Sequence, residues 1–346
     1  MRFIFLVLSV TLFFSCTSEM RQPFTTVTIT EILSDSLSVR AISPQDANSV
    51  WFAANRGVVG LIDGKIPKIA TVKYEDVVLN FRAIAKTEKA VFVLSIENPA
   101  VLYKMDVANN EAQNMTEVYV ENGEGVFYDA INFWNENEGI AMGDPINGCL
   151  SIIITRDAGI TWNKLSCDIV PPIIEGEAAF AASNSNISIV GNHAWIATGG
   201  KRARVFHSSD KGKTWEVFNT PMVQGNVMTG IYSIDFFNEK TGVIFGGDWE
   251  RKEFNEGNKA ITNDGGQTWQ LISNGRGPGY RSSVKFVPNT NGEALVAVGS
   301  PGISYSNNAG KDWVELSNEG FYAIEFVSDS IAFASGSNKI SRLVFK

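Results

Sequence analysis

One eight-residue phrase, repeated four times, restricts this chain to a repeat fold. The copies are Thr155-Arg-Asp-Ala-Gly-Ile-Thr-Trp162, Ser208-Ser-Asp-Lys-Gly-Lys-Thr-Trp215, Thr262-Asn-Asp-Gly-Gly-Gln-Thr-Trp269 and the altered Ser306-Asn-Asn-Ala-Gly-Lys-Asp-Trp313. Their tryptophans are spaced by 53, 54 and 44 residues. A period of that size marks an architecture in which each repeat is one supersecondary unit. The phrase itself reads as a hairpin turn. The Asp side chain accepts from backbone N–H groups two or three residues on, and Gly takes a position with φ > 0. Thr and Trp then begin the return strand, with the indole covering the turn. On this reading Asp157, Trp162, Asp210, Trp215, Asp264, Trp269 and Trp313 are structural.

A fainter repeat sets the number of units. Apolar markers at Ile42, Ile84, Ile131, Ile187, Ile234, Val284 and Ile324 each follow a small or short polar residue, namely Ala41, Ala83, Ala130, Asn186, Ser233, Ser283 and Ala323. Small residues there suit innermost strands crowding around an axis. Each marker precedes a second strand end, such as Gly143, Gly199 or Gly246, by 12 residues, stretched to 15 for Val284 and Gly299. Four strands per unit and seven units predict an all-β, seven-bladed β-propeller with the repeated turn in its later blades. The last unit stops one strand short, and residues 26–33 form a β-rich segment with no blade of their own. Pairing them outside residues 340–345 removes two open edges, so the N-terminal strand is expected to close the last blade.

The repeated phrase resembles the Asp-box (BNR) motif, and three copies match it at every defined position. Sialidases, xyloglucan-cleaving hydrolases, sortilin-type receptors and photosystem II assembly-factor-like propellers carry that motif. Over nearly the whole chain the better resemblance is to the photosystem II assembly/stability-factor-like family. It rests on the degenerate first blades, the strand ends Gly143-Asp144 and Gly246-Gly247-Asp248, and a basic patch at the funnel. This resemblance implies a protein-binding propeller with no established reaction. An oxidoreductase label attached to some relatives finds no cofactor fingerprint here.

The start of the chain reads as export. Residues 2–15 are one Arg followed by an apolar run ending in Ser15, too short to span a bilayer. Leu12-Phe-Phe-Ser-Cys16 resembles a lipobox, with Phe13 where an aliphatic residue is usual. The expectation is therefore a signal peptide at 1–15, a lipidated Cys16 with a tether to residue 24, and a propeller over 25–346. Ordinary signal-peptidase cleavage would instead leave a soluble exported protein. The diacylated form would be anchored to the bacterial cell envelope, on a periplasmic or outer-membrane face, touching membrane only through its lipid. A net charge of −8 with no basic run argues against nucleic acid. The chain is read as a monomer.

Cys149 and Cys167 flank the first repeated turn, nine residues to either side of Ala158. A hairpin centred there sets them opposite one another within disulfide reach, and an exported compartment permits oxidation; two buried thiols are the alternative. His193 and His207 belong to no ligand pattern, and no nucleotide loop or metal cluster is legible, so no cofactor is expected.

Topology then places a site. In a four-stranded blade the repeated turns lie on the face away from the usual ligand funnel. The funnel mouth is ringed by residues at the starts of the innermost strands and by the loops after the second strands. The candidates are Arg40, Arg82, Asp129, Asp144, Arg202, Tyr232, Asp248, Tyr280, Arg281 and Tyr322, with Arg56, Lys201, Arg204 and Arg251 in the loops and residues 170–177 over the mouth. Arginine forks hold carboxylate or phosphate, and tyrosines give amphipathic contact area. A solvated rim of weak ion pairs is the plainer alternative. The expected partner is an envelope protein or glycan, bound without catalysis. A sialidase-like hydrolase would use Arg40, Arg82 and Arg281 with Tyr322 or Tyr232, Glu325 and Asp129. However, the Arg-Ile-Pro signature of sialidases is absent, since Arg40 is followed by Ala41-Ile42-Ser43.

Overall fold

The computed structural model describes residues 22–64, 66–108 and 111–346; the expected signal peptide and Cys16 lie outside them. Among the described residues every regular element is a strand. The strands group into four four-stranded sheets, two six-stranded sheets and one two-stranded ribbon at Lys73–Tyr74 and Val77–Val78. The molecule is an all-β propeller.

Apolar residues on both faces of each inner strand explain why the sheets pack face to face around an axis. Met142 and Ile152 of one sheet pack on Ile196 and Phe206 of the next. Val296 and Val298 meet Ile324 and Leu343 in the same manner. The ring closes where Phe333 and Ile340 pack against Phe52 and Ile62. Burial is therefore spread over inter-sheet seams, and each sheet is stable only with its neighbours.

The expected count of seven separate blades is corrected to six sheets of four or more strands. The first strand, Val27–Pro44, is 18 residues long. Its N-terminal part pairs antiparallel with the last strand, Ile331–Phe345, from Val27 opposite Phe345 to Ser38 opposite Ser337. From Val39 onward it pairs with Ser49–Ala54 instead. The first and last repeats, carrying Ile42 and Ile324, thus share one hydrogen-bonded sheet. Residues 26–33 do lie on the open edge of the last strand, where Thr25 and Thr26 also donate to the Lys346 carbonyl.

The four repeated turns share one hydrogen-bonding scheme. A Thr or Ser hydroxyl reaches the acid two residues on, at 2.9 Å for Thr155–Asp157, 2.8 Å for Ser208–Asp210 and 2.7 Å for Thr262–Asp264. The acid accepts from the backbone N–H four residues on, at 2.9 Å from Thr161, 2.9 Å from Thr214 and 3.0 Å from Thr268. Asp210 also accepts from Lys213 N–H, three residues on, at 3.0 Å, so the expected reach is met and extended by one residue. Asn308 takes the acid's place in the altered copy and accepts from Asp312 N–H at 2.9 Å. At Gly159 φ is +73°, and a Cβ would sit 2.2 Å from the Phe92 ring, so no other residue fits. Trp162 stands edge-on to Phe92 and Phe133, and Trp313 to Phe245, so the tryptophans seal the seams as well as the turns. A disulfide joins Cys149 to Cys167, with 5.5 Å between their Cα atoms.

Candidate functional site

The innermost strands begin on one face, and their first residues meet around the axis there. Arg40 projects from the first strand over the ring of Tyr322, 4.2 Å from its centroid, and donates through Nη1 to the Ala182 carbonyl at 3.2 Å. Arg82 is half-buried and makes no hydrogen bond or ion pair among the described residues. Burial first, and then the nearby Arg40 charge, make its proton easier to lose than usual; Glu97 and Asp129 pull the other way. Asp129 is wholly buried with neither carboxyl oxygen hydrogen-bonded. Burial, reinforced by the Asp144 carboxylate and opposed by Arg82, pushes its carboxyl well above the usual range.

Aromatic rings form the opposite wall. Tyr232 stacks on Phe180 at 4.0 Å, with Tyr280 edge-on at 4.8 Å. Tyr232 donates to the Met228 carbonyl at 3.0 Å. Burial raises the Tyr280 phenol, and the Arg40 charge opposes that rise. Arg40, Arg82, Asp129, Tyr232, Tyr280 and Tyr322 therefore form one polar and aromatic cup.

Other candidates are placed elsewhere. Arg281 turns away from the axis, donating through Nη2 to Ser304 at 2.7 Å and to Glu315 at 3.0 Å. Asp144 accepts from Ala179 N–H at 2.9 Å and fixes the loop beside the cup. Asp248 caps its own loop through Glu250 N–H at 2.9 Å and pairs with Arg251 Nε at 2.7 Å. Arg202 is exposed on its loop, and Arg56 is tied to Ser36. Arg204 is buried in an ion pair with Glu177 at 2.6 Å and also donates to the Pro172 carbonyl, so it anchors the 170–177 loop.

The base of the cup comes from residues 180–186, of which the repeat register singled out only the last two, Ser185 and Asn186. Asn184, at φ +58°, donates to the Ile84 carbonyl at 2.7 Å and accepts from Ile131 N–H at 3.0 Å. Ser183 donates to the Ser282 carbonyl at 2.6 Å. This segment thus bonds to strands from several sheets and crosses the axis. Its sequence signal is a run of small and short polar residues beside an innermost strand, where any bulkier chain would collide. Further along the strands, past Asn184, lies a polar cavity of about 160 Å³. Glu325 pairs there with Lys285 at 2.8 Å, separate from Arg40 and Arg82. The sialidase-like grouping of Glu325 with those arginines is not assembled.

His193 Nδ1 and His207 Nε2 lie 2.8 Å apart, with both rings stacked on Trp195. Among the described residues no three His, Cys, Asp or Glu side chains are placed to hold a metal ion, and no helix is long and apolar enough to cross a membrane.

Fold and cup together define a β-propeller with a closed axis and a charged, aromatic recess on one face. No family model matches the chain, and no curated protein matches it. Solved structures do. A structure of YCF48 bound to D1 peptide aligns with TM-score 0.66 and 13% identity over 94% of this chain and 98% of that one. YCF48 from Cyanidioschyzon merolae aligns with TM-score 0.62 and 15% identity over 93% and 98%. A structure of U3-55K aligns with TM-score 0.63 and 12% identity over 93% and 100%. At these identities the likeness is one of fold.

Proposed function

We propose that this protein is a non-catalytic binding and assembly module, held at the bacterial cell envelope by lipid on Cys16, that takes a segment of a partner protein into the axial cup. The observation that carries the reading is the state of Arg82 and Asp129. Asp129 is wholly buried with neither oxygen hydrogen-bonded, an arrangement that costs stability until a partner group satisfies it, and the half-buried Arg82 side chain beside it has no hydrogen-bond partner of its own among the described residues. Arg82 and Arg40 suit a carboxylate or a row of peptide carbonyls, and the partly exposed Tyr322 ring suits its apolar flank, with Tyr232 and Tyr280 buried as its support. The YCF48 structure solved with D1 peptide is a precedent for a peptide on a propeller of this shape.

Crosslinking from native membranes tests the reading. Wild-type protein should capture an envelope protein that the Arg40→Ala/Arg82→Ala variant does not, and equal capture by both would count against the cup. Turnover of a fluorogenic sialoside that disappears in Asp129→Asn would replace this reading with a hydrolase. Cys16→Ser should release the protein from membranes and abolish acyl labelling.

A further inference from the structure

A second cleft lies away from the cup, between two neighbouring sheets near the loops of the same face. It encloses about 450 Å³, within the ~300–1,000 Å³ typical of small-molecule sites. Its lining includes Trp313, Arg281, Glu315, Glu253, Asn255 and Ser304. We propose that this cleft binds an uncharged saccharide residue.

Charge balance selects the ligand class. Arg281 is 3% exposed, and its guanidinium is held by Ser304 and Glu315. Glu253 lies close enough to act on the same guanidinium. Behind the wall, Lys259 is fully buried and donates to Asn258 Oδ1 at 2.8 Å and to the Pro278 carbonyl at 3.3 Å. The lining itself thus carries one cation, Arg281, and two carboxylates, Glu253 and Glu315. A cationic ligand would meet Arg281, and an anionic one would meet Glu253 and Glu315. A neutral ligand rich in hydroxyls meets neither penalty, because each hydroxyl both donates and accepts. Its hydroxyls can donate to the carboxylates and accept from the second amide proton of Asn255, whose first goes to the Gly277 carbonyl at 3.2 Å.

Trp313 supplies the remaining element. Its Nε1 donates to the Gly310 carbonyl at 2.9 Å and its ring stands edge-on to Phe245, so the indole is fixed before any ligand arrives. A fixed aromatic surface suits the C–H face of a pyranose ring, and pre-ordering it lowers the entropy lost on binding. This inference is independent of the axial cup, which keeps its own charge and its own aromatic wall.

The test is an NMR titration of the folded protein with methyl glycosides of glucose, galactose, mannose and N-acetylglucosamine, followed at the Trp313 indole N–H. At least one glycoside should shift that signal saturably below ~100 mM, and its glucuronate and glucosamine counterparts should bind about tenfold more weakly. Glu253→Gln and Asn255→Ala, both at accessible positions, should each weaken binding several-fold. Arg40→Ala and Arg82→Ala should leave it unchanged, which separates this cleft from the cup. No shift with any of the four glycosides, or tighter binding of a charged counterpart, would overturn the proposal.

Discussion

Arg40 and Tyr322 belong to opposite ends of the chain, yet the Arg40 guanidinium carbon lies 4.2 Å from the centre of the Tyr322 ring. The shared sheet of the first and last repeats brings them together. The ring holds the guanidinium over the cup by a cation–π contact of ~0.5–2 kcal/mol. Tyr322→Ala should therefore reduce partner capture nearly as far as Arg40→Ala, while Tyr322→Phe should retain it. Quantitative crosslinking of the three variants checks this, and equal loss in Tyr322→Phe would point to the hydroxyl instead.

Asp129 should make stability depend on pH in an unusual direction. Its carboxyl is pushed well above the ordinary value of ~4, by burial first and by Asp144 second. As pH rises past the ordinary value, the unfolded chain releases a proton that the folded chain keeps. Stability falls through that window and stays lower above the folded value. Asp129→Asn removes the penalty and should stabilise the protein more at about pH 7 than at about pH 4. Denaturant melts at the two pH values read the difference directly, and a larger gain at the acid end would contradict the assignment.

The Cys149–Cys167 bond closes a loop with a sequence separation of 18. Replacing both cysteines with serine should lower stability by ~3 kcal/mol in the chain-entropy account. Reductant should lower the melting temperature of the wild type but not of the double variant.

Asp210 shows what the repeated turn contributes. Burial alone would raise its carboxyl, but hydrogen bonds from Thr214 and Ser208 outweigh that and bring it down to about 2. Asp210→Ala leaves the Thr214 N–H without its acceptor and should cost ~1–2 kcal/mol. Asp210→Asn should recover most of the loss, as Asn308 fills the same role in the fourth copy. Partner capture should be unaffected, and a change in it would place the turn nearer the cup than the fold does.

Removing residues 22–33 would strip the outer partner from the last strand, exposing an edge that includes the buried Leu343 and Phe345. The truncated protein should melt earlier and aggregate, because an unpaired edge templates further pairing. A monomeric truncation with unchanged melting would show that this pairing is dispensable.

Local chemistry was legible in the sequence wherever a side chain bonds to its own turn or its own hairpin. The phrase around Asp157, Asp210 and Asp264 specified the turn, because every group it needs lies within eight residues. Cys149 and Cys167 were placed by counting along one hairpin, and the pairing of residues 26–33 followed from a strand missing at the other end. Periodicity also brought Arg40, Arg82, Asp129 and Tyr322 to one rim, since equal repeats carry equivalent positions to the same height on the axis.

Only the tertiary structure decided where side chains point and where one sheet ends. A register says that Tyr280 and Arg281 are neighbours. It does not say that the first faces the cup while the second reaches Ser304 and Glu315 in another cleft, because both precede the strand Ser283–Phe286 and are set by long-range backbone bonds to the Lys252 and Gly246 carbonyls. Nor could it show that residues 180–186 close the axis, since Asn184 bonds to Ile84 and Ile131, 100 and 53 residues away in sequence. The sheet count was decided in the same way. Seven markers were visible, but the run of Val27–Pro44 from the last strand to Ser49–Ala54, which merges the first and last repeats into one sheet, depends on backbone hydrogen bonds that carry no sequence signature.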